Sequence, residues 1–348
     1  MTSRSILTYV LAGMGWGLAL ALLLYITLAP ASEPQNITGA AKLDCPDLVT
    51  AAARSQPAVV SVRGFRDGTG TVASGSGVII DGRRGLIATN CHVIMNARRV
   101  RITLPDRREY TAQVIGQDRP TDLALLQIAD APDLPAATFG DSDQLRVGEP
   151  LLAVGNPYGL NSTVTTGILS GRGRAIDVLT GEDRIESFLQ TDAAVHAGNS
   201  GGALVNTAGE LIGINTAILT GTGRHEGFAF AIPGNLARRV LDDLRDYGRF
   251  RRAELGAFVQ SINNSQARRR GMELTTGVVV TELRTDGAAR RAGLEKGDVL
   301  LSIDDRAIHS APQLHEVLSH YNPGDRVAVA YRRDRADHAV ELTLLGRP

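Results

Sequence analysis

The stretch that decides the fold is "TDAAVHAGNSGGALVN", which runs from Thr191 to Asn206. Its centre is Ser200, with glycines at positions 198, 201 and 202. Glycine loses more conformational entropy on folding than any other residue, so such a cluster usually marks a backbone shape that other residues cannot adopt. That shape suits a reactive serine, and it equally suits a glycine-rich hairpin with an incidental serine. This peptide alone leaves both interpretations open.

The residues that follow Ser200 limit the kind of fold that can hold it. Residues 198–202 match the G-x-S-x-G pattern of a nucleophile elbow, which requires a strand, a sharp turn and then a helix. The chain instead continues as "ALVNTAGELIGINT" over 203–216, which has the pattern of a strand, a turn and a second strand. The pattern therefore disfavours the elbow, and we expect Ser200 on a turn within a β fold.

The region on both sides of this serine repeats the strand-and-turn rhythm. "SGVII" (76–80) and "GLIAT" (85–89) flank a polar turn, which predicts a hairpin. Other apolar runs follow at similar spacing: "VRITL" (100–104), "EYTAQVIG" (109–116), "LALLQI" (123–128), "EPLLAVG" (149–155) and "STVTTGILSG" (162–171). This spacing indicates an all-β sandwich or barrel, and no helical pattern between the runs supports a parallel sheet.

The last third of the chain changes character. A helix is predicted from a cap at Asn235 to a stop at Gly248. Beyond it, strands mix with short helices, one of which has a capping box at 310–313. Its apolar face is Leu314, Val317, Leu318 and Tyr321. The sequence therefore predicts four parts: an anchor at 1–29, a linker at 30–55, a β-rich domain at 56–249 and a small α+β domain at 250–348.

The N-terminus suggests export. Residues 6–29 carry no charge, and they are long enough to cross a bilayer, which takes about 20 apolar residues in a helix. Residues 29–31 also offer a signal-peptide cleavage pattern, but the length favours a retained anchor. Arg4 places the short N-terminus in the cytoplasm and the rest outside. Outside the cytoplasm, Cys45 and Cys91 could form a disulfide, or they could be two buried thiols.

Composition excludes some classes of function. The 37 Lys and Arg residues balance the 37 Asp and Glu residues, so no global basic field points to nucleic acid. "HEVLSH" (315–320) places its second histidine one residue too far for the zinc-protease pattern, and no other metal-ligand set is evident. We therefore expect no metal and no cofactor.

Two further residues complete a possible catalytic set with Ser200. A serine hydroxyl needs a base, usually a histidine that a carboxylate orients, and backbone N–H donors for the oxyanion. His92 follows a buried strand in "LIATNCHVI", and Asp122 opens a strand in "PTDLALLQI". Each alone is more often structural or part of a turn. Together they run in the order His, Asp, Ser, as in chymotrypsin-type barrels.

The glycines around Ser200 have expected roles of their own. Two backbone N–H groups that point the same way require unusual dihedral angles before the serine, and Gly198 is expected to supply them. Gly201 and Gly202 are expected to leave room for a substrate chain.

Several motifs now resemble one family, the HtrA-type serine proteases, over residues 57–248. These motifs are "GSGVII", "TNCHVI", "TDLALL", "GNPYG", "QTDAAVHAGNSGGALVN" and "GFAFAIP". Residues 277–308, "GVVVTELRTDGAARRAGLEKGDVLLSIDDRAI", resemble a bacterial PDZ domain. A single PDZ domain behind an N-terminal anchor is most similar to the DegS branch of this family.

The resemblance implies a chymotrypsin-like double β-barrel with its site between the barrels. His92 would be the general base, Asp122 its orienting partner and Ser200 the nucleophile, with the N–H groups of Gly198 and Ser200 as oxyanion donors. In this fold the residue six before the serine, Ala194, lies at the base of the S1 pocket. Residues Ile212 and Ile214 are expected to form an apolar wall there, which favours cleavage after small or medium aliphatic residues.

The resemblance also implies regulation. The PDZ domain would hold C-terminal peptides of misfolded envelope proteins, with Leu255, Gly256, Ala257 and Phe258 as the carboxylate loop. Residues 171–187 would be the loop that senses the peptide. The protein would be a homotrimer, anchored once in the inner membrane with both domains in the periplasm, and would cleave a membrane-bound anti-sigma factor. A broad-range quality-control protease and a non-proteolytic peptide sensor or chaperone are the alternatives.

Overall fold

The computed structural model describes residues 47–66, 69–130, 133–157, 162–176, 178–179, 184–218, 227–269 and 276–346. The predicted anchor, most of the predicted linker and Cys45 lie outside these residues. Among the described residues, no helix combines the length and the apolar character that crossing a membrane requires. Cys91 is a free and buried thiol.

The first six strands close into a barrel in the order β1-β2-β3-β6-β5-β4. They are β1 (Val59–Arg66), β2 (Thr69–Asp81), β3 (Leu86–Asn90), β4 (Arg99–Thr103), β5 (Glu109–Asp118) and β6 (Leu123–Ile128). The predicted hairpin is the β2–β3 connection, where Asp81 Oδ1 accepts the N–H groups of Arg83 and Arg84 at 3.1 and 3.0 Å. A short helix, α2 (Cys91–Ile94), follows β3 directly.

The next six strands close into a second barrel in the order β10-β11-β12-β9-β8-β7. They are β7 (Pro150–Gly155), β8 (Thr163–Arg174), β9 (Phe188–Thr191), β10 (Ala203–Val205), β11 (Leu211–Ile218) and β12 (Ala229–Pro233). One apolar cluster contains residues of both barrels, including Val59 and Leu123 from the first and Leu152 and Ile214 from the second. The double β-barrel expected from the sequence is thus confirmed, and its two halves share a core.

Two helices cover this shared core. Helix α1 (Leu48–Ser55) begins after Asp47, whose side chain accepts the Thr50 N–H, and it buries Ala51 completely. The linker predicted to extend to residue 55 is therefore wrong over 48–55, where a buried apolar face stabilises a helix. Helix α3 (Gly234–Tyr247) also packs on this core.

The ends of α3 test the capping prediction. The helix ends at Gly248, as predicted, with φ +69° and its N–H on the Leu244 carbonyl. The predicted cap at Asn235 is wrong, because the helix begins one residue earlier, after Pro233. The Asn235 side chain instead binds a neighbouring loop, donating to Asp141 at 2.7 Å and accepting the Ser142 N–H at 3.4 Å.

The remaining residues form the small α+β domain. Its strands are β13 (Ala253–Glu254), β14 (Ala257–Ser261), β15 (Val278–Leu283), β16 (Val299–Ile303), β17 (Arg306–Ala307), β18 (Arg326–Arg333), β19 (Ala336–Thr343) and β20 (Leu345–Gly346). Its helices are α4 (Asn264–Arg269), α5 (Ala288–Arg291) and α6 (Ala311–Ser319). In the main sheet, of order β14-β15-β16-β18-β19, β14 is an edge strand.

Helix α6 begins at the predicted cap. The Ser310 side chain accepts the Gln313 N–H at 3.4 Å, whereas the Gln313 side chain accepts the N–H of His309 and not that of Ser310. The predicted capping box is therefore only half formed. The helix buries Leu314, Val317 and Leu318 as predicted, while Tyr321 is partly exposed and donates its hydroxyl to Asp304 at 2.7 Å.

Candidate active site

Asp122 fixes the orientation of His92 through two contacts. Its Oδ1 accepts the His92 backbone N–H at 3.0 Å, and its Oδ2 lies 2.7 Å from Nδ1 of the ring. The carboxylate is almost buried, with 8% of its side chain exposed, whereas the ring is 42% exposed. Because Nδ1 is held by the carboxylate, Nε2 is the ring nitrogen left to exchange a proton with a reacting group.

The turn before β6 explains why Asp122 can hold this position. A 3₁₀ turn at 119–121 brings the chain round, and Asp122 leaves it in the left-handed region with φ 58°. Aspartate tolerates that region better than most residues. The Asp122 carbonyl accepts the Cys91 N–H at 3.1 Å and the Asn90 Nδ2 at 3.1 Å, which fastens the turn to the residues just before His92.

Cys91 is held away from reaction beside this turn. Its Sγ donates to the Leu123 carbonyl at 3.0 Å. Burial, together with the negative charge of Asp122, raises the pKa of the Cys91 thiol to about 12. The thiol is therefore protonated at neutral pH and does not compete with Ser200 as a nucleophile.

Thr216 connects Asp122 with Ser200 and was missed in the sequence. Its hydroxyl donates to Asp122 Oδ2 at 2.8 Å, and its carbonyl accepts the hydroxyl of Ser200 at 3.3 Å. It lies on β11 of the second barrel, whereas Asp122 opens a strand of the first. No local pattern marks this threonine, because its partners are 94 and 16 residues away.

Replacing Thr216 by valine keeps its shape but removes the hydrogen bond to the Asp122 carboxylate. Hydrogen bonds to charged groups contribute about 1.5–3 kcal/mol, so we expect kcat to fall about 10- to 100-fold with a smaller change in KM. Peptidase kinetics on a fluorogenic peptide measure both. Thr166→Val is the matched control, since Thr166 Oγ1 donates only to the Leu151 carbonyl within the second barrel. Equal kinetics for the two variants would contradict the role of Thr216.

The Ser200 backbone lies against β2 of the first barrel, where its carbonyl accepts the Ser76 N–H at 2.8 Å. Gly75 lies between the Ser200 carbonyl and Val93, the residue that follows His92. A Cβ on Gly75 would lie 2.8 Å from the Ser200 carbonyl oxygen and 2.7 Å from a methyl group of Val93. Among the described contacts, no hydrogen bond joins Ser200 to His92, since the hydroxyl donates to the Thr216 carbonyl. Because a hydroxyl has a single hydrogen to donate, Ser200 has to give up its bond to the Thr216 carbonyl before His92 can take that proton.

One of the two expected oxyanion donors is occupied. The N–H of Gly198 donates to Nδ1 of His196 at 3.3 Å, across the 3₁₀ turn at 197–199. The prediction that Gly198 supplies an unusual dihedral angle is wrong, since Gly198 is not among the glycines with positive φ. Its lack of a side chain matters for packing, because a Cβ there would lie 2.5 Å from Cβ of Pro157.

The two glycines after the serine also differ from expectation. Gly201 has φ +82°, and a Cβ on it would lie 2.2 Å from the Ser76 carbonyl oxygen. A Cβ on Gly202 would lie 2.3 Å from the Val154 carbonyl oxygen. The space predicted for a substrate chain is therefore filled by the backbone of the two barrels, and these glycines allow the loop to pack against it.

The predicted S1 residues lie in different environments. Ala194 is exposed, and its carbonyl accepts the Thr165 hydroxyl at 2.7 Å. The predicted apolar wall is wrong, because Ile212 and Ile214 are 1% and 0% exposed within the apolar clusters. Their strand, β11, is paired on both sides, and burying each side chain stabilises the barrel by about 1.5–3 kcal/mol.

The predicted carboxylate loop lines a groove of about 730 Å³. Leu255 is buried in the core of the small α+β domain, and Gly256 has φ +70°, with a Cβ position 2.5 Å from Cα of Gly287. Ala257 and Phe258 begin the edge strand β14, and Phe258 is 44% exposed. Strand β14, helix α6 and residues 184–186 of the second barrel's loop line the groove.

An ion pair links this groove to the turn that carries Asp122. Arg252, which lines the groove, donates both terminal nitrogens to the Asp118 carboxylate, one of them at 2.8 Å. The same carboxylate accepts the backbone N–H and the hydroxyl of Thr121, the residue before Asp122. Only 6% of the Asp118 side chain and 15% of that of Arg252 are exposed.

Helix α6 turns two partly buried titratable groups towards the loop of the second barrel. Burial lowers the pKa of His315, and the guanidinium groups of Arg252 and Arg184 lower it further. Burial raises the pKa of Glu316, although its hydrogen bond from the Ser187 hydroxyl opposes this effect. The neutral forms of both groups are therefore favoured in the folded protein.

The pKa of His315 predicts a loss of stability in mild acid. Because this pKa is lower in the folded state, its contribution is fully present above the ordinary histidine pKa of about 6.5 and is lost as the pH falls through the folded value. The free energy of unfolding, measured in urea, should therefore fall more steeply below about pH 6.5 for the wild type than for His315→Gln. Glu316 acts in the opposite direction in both proteins, so their difference isolates His315. Parallel pH profiles would contradict the prediction.

Within the described residues, no group of three or more His, Cys, Asp or Glu side chains is placed to hold a metal ion. A carboxylate orients an imidazole, and a serine hydroxyl lies on the facing loop with backbone donors around it. Such a set activates a serine towards acyl groups.

Comparison with known proteins agrees with this arrangement. A model of the trypsin-like peptidase domain matches residues 75–214, and a PDZ domain model matches residues 249–344. The chain is 41% identical over 272 residues to a probable periplasmic serine protease, do/HhoA-like, of Haemophilus influenzae, covering 78% of this chain and 58% of that protein. It is 41% identical over 273 residues to the periplasmic serine endoprotease DegP of Escherichia coli, covering 78% and 57%. It thus spans little more than half of these relatives.

The match to solved structures covers nearly whole chains. The structure described as the HtrA-type protease AlgW with tripeptide is 39% identical and has a TM-score of 0.72. The alignment covers 87% of this chain and 98% of that one. A second structure, described as AlgW with decapeptide, has 36% identity and a TM-score of 0.68, with 86% and 99% covered. The chain therefore belongs to the HtrA-type serine proteases, with one trypsin-like peptidase domain followed by one PDZ domain.

Proposed function

We propose that this chain is a periplasmic serine endopeptidase that a peptide bound to its PDZ domain switches on. The observation that supports catalysis best is the environment of the Asp122 carboxylate. It holds the His92 ring at 2.7 Å and accepts the hydroxyl of Thr216, whose carbonyl is bonded to Ser200. The buried Asp122 carboxylate thus orients the His92 base directly and is linked to Ser200 through Thr216.

The reaction follows from these positions. Ser200 Oγ attacks the carbonyl carbon of the scissile bond while His92 Nε2 takes its proton, and Asp122 stabilises the imidazolium. The N–H groups of Gly198 and Ser200 bind the oxyanion. His92 then protonates the leaving amine, the C–N bond breaks, and an acyl-enzyme remains. Water attacks it after giving a proton to His92, and that proton returns to Ser200 as the acid leaves.

Two hydrogen bonds must be exchanged before this reaction can begin, which supports a regulated enzyme. The Ser200 hydroxyl has to leave the Thr216 carbonyl for His92, and the Gly198 N–H has to leave the His196 ring. The described arrangement therefore fits a resting state. An activating ligand must bind the rearranged state more tightly than this one, because only differential affinity shifts such an equilibrium.

The groove offers a route for such a ligand. A peptide added to the edge strand β14, with its carboxylate at residues 255–258, would also meet residues 184–186 of the proposed sensing loop. Glu186 in that loop accepts the N–H groups of Ile176 and Leu179 at 2.8 and 2.7 Å. A peptide that displaces Glu186 would therefore change the loop, which leads through β9 to the residues before Ser200.

The finer parts of the function rest on the sequence. We propose that residues 6–29 anchor the chain in the inner membrane, that it assembles as a homotrimer, and that a membrane-bound anti-sigma factor is its substrate. Relatives named as periplasmic proteases support a periplasmic location. Ala194 has no carboxylate to pair with a basic side chain, so we propose cleavage after small or medium aliphatic residues.

A peptide-activation assay tests this proposal. The full chain in detergent is incubated with a fluorogenic peptide library, alone or with ten-residue peptides that end in an apolar residue and a free carboxylate. We expect cleavage after aliphatic residues to rise at least tenfold, and the same peptides with an amidated C-terminus to have little effect. The amidated peptide is the matched control, since it removes only the charge that the backbone N–H groups would bind.

Other outcomes favour the alternatives. Full cleavage without any peptide would indicate a broad-range quality-control protease and would contradict regulation. Peptide binding without cleavage of any library member would indicate a peptide sensor or chaperone. Cleavage only after Arg or Lys would contradict the proposed specificity at Ala194.

A further inference from the structure

Ser76, on β2 of the first barrel, has an unusual set of contacts with the loop that carries Ser200. Its N–H donates to the Ser200 carbonyl at 2.8 Å, and its hydroxyl donates to the Gly198 carbonyl at 2.7 Å. The same hydroxyl accepts the Asn156 N–H at 2.8 Å, and the Ser76 carbonyl accepts the Thr89 hydroxyl at 2.7 Å. Ser76 is fully buried, so water cannot replace these partners.

These contacts constrain the backbone on both sides of the nucleophile. The Gly198 carbonyl belongs to the peptide unit 198–199, and the Ser200 carbonyl belongs to the unit 200–201. The peptide unit between them carries the Ser200 N–H, one of the two proposed oxyanion donors. A single residue of the first barrel therefore holds the two peptide planes that flank this donor. Since ω is fixed, little freedom is left for the unit in the middle.

Close packing against the first barrel also fixes the position of the loop that carries Ser200. A Cβ on Gly201 would lie 2.2 Å from the Ser76 carbonyl oxygen, and one on Gly75 would lie 2.8 Å from the Ser200 carbonyl oxygen. The loop thus rests directly on the backbone around Ser76. Removing the hydroxyl would leave the Gly198 carbonyl and the Asn156 N–H buried without these partners, and an unsatisfied buried group costs about 1–3 kcal/mol.

We propose that Ser76 is a positioning residue for the peptidase reaction. It locks the nucleophile loop of the second barrel to the first barrel, so that Ser200 and its N–H keep one orientation towards the substrate. It touches no reacting atom and acts only through residues 198–200. This inference rests on the proposed peptidase function, because the orientation matters for rate only if Ser200 is the nucleophile.

The test compares Ser76→Ala with Ser142→Ala in the full chain. Ser142 is an equally buried serine whose hydroxyl accepts the Asn235 N–H at 3.0 Å, far along the chain from the nucleophile loop. Both variants lose a buried hydroxyl and the backbone hydrogen bond that it accepts, and both should be less stable. Only Ser76→Ala should also lower kcat about 10- to 100-fold with KM changed less than about twofold, since a small misplacement of reacting groups has effects of this size.

A second readout does not require activity. Amide hydrogen exchange should be faster in residues 198–201 of Ser76→Ala than in the same residues of Ser142→Ala, because the hydrogen bonds of Ser76 limit local opening of this loop. Equal exchange in the two variants, or equal kcat values, would overturn the positioning role. If the wild type cleaves no peptide while the exchange difference is present, the proposed peptidase function fails, but Ser76 is still shown to hold residues 198–200 in place. Loss of kcat with no exchange difference would show that Ser76 does not act by holding this loop in place.

Discussion

Replacing Ser200 by alanine is expected to abolish peptide cleavage while leaving the fold intact. The change removes only the hydroxyl, which donates to the Thr216 carbonyl at 3.3 Å in the part of the chain that the structure describes. Loss of a triad nucleophile typically lowers the rate by more than about 10⁴-fold. Initial rates on the preferred peptide of the activation assay, with and without the activating peptide, measure the effect.

Asp122→Asn provides a second test of the same mechanism. The amide cannot hold the His92 ring in the tautomer that leaves Nε2 free, so we expect a fall of about 10⁴-fold. Circular dichroism and peptide binding should be unchanged in Ser200→Ala. Residual activity within about tenfold of the wild type in that variant would remove Ser200 from the mechanism, and the protein would then be a hydrolase with a different nucleophile.

The second large effect is expected at the ion pair between the domains. Arg252→Met keeps an apolar stem but removes the guanidinium, which lies over the Phe250 ring and pairs with Asp118, so the Asp118 carboxylate is left buried without its partner. Removing one member of a buried pair costs about 3–5 kcal/mol. We expect the free energy of unfolding in urea to fall by about 3 kcal/mol, and the peptidase rate to fall with it, since Asp118 also holds the turn before Asp122.

An exposed ion pair is the matched control for this substitution. Arg108 lies 2.7 Å from Asp106, and the two side chains are 46% and 52% exposed. Solvent screens such a pair, so Arg108→Met should change neither stability nor rate measurably. The double variant Asp118→Asn, Arg252→Met completes a mutant cycle. A coupling near zero between positions 118 and 252 would show that the pair does not join the domains energetically.

The proposed catalytic set could be predicted because Asp122 and His92 have local reasons for their positions and because the surrounding motifs resemble those of one protease family. Asp122 follows a turn at the mouth of a strand, and His92 follows a strand that is buried along its whole length. The glycines next to Ser200 indicated a loop of unusual backbone shape. What the glycines are for was misread, because a Cβ collision depends on which backbone lies opposite, and the sequence does not contain that information.

The residues that were missed share one physical property. Thr216 and Ser76 act through partners 94 and 122 residues away, so no window of sequence contains both ends of the contact. The same limit explains the wrong S1 wall. Ile212 and Ile214 have the apolar character of a pocket, but in the closed second barrel both are buried in apolar clusters.

By itself, the amino-acid sequence predicted the succession of strands, and its motifs resembled those of a double-barrel protease followed by a PDZ domain. The strands follow from hydrophobic periodicity and turn chemistry, which act over a few neighbouring residues, whereas the domain types and the proposed roles of His92, Asp122 and Ser200 were implied by that resemblance. Only the tertiary structure decided which carbonyl the Ser200 hydroxyl faces, which ring occupies the Gly198 N–H, and which barrel holds the nucleophile loop. Those outcomes depend on closing two barrels against each other, because hydrogen bonds and close contacts across their junction form between residues that are distant in the chain.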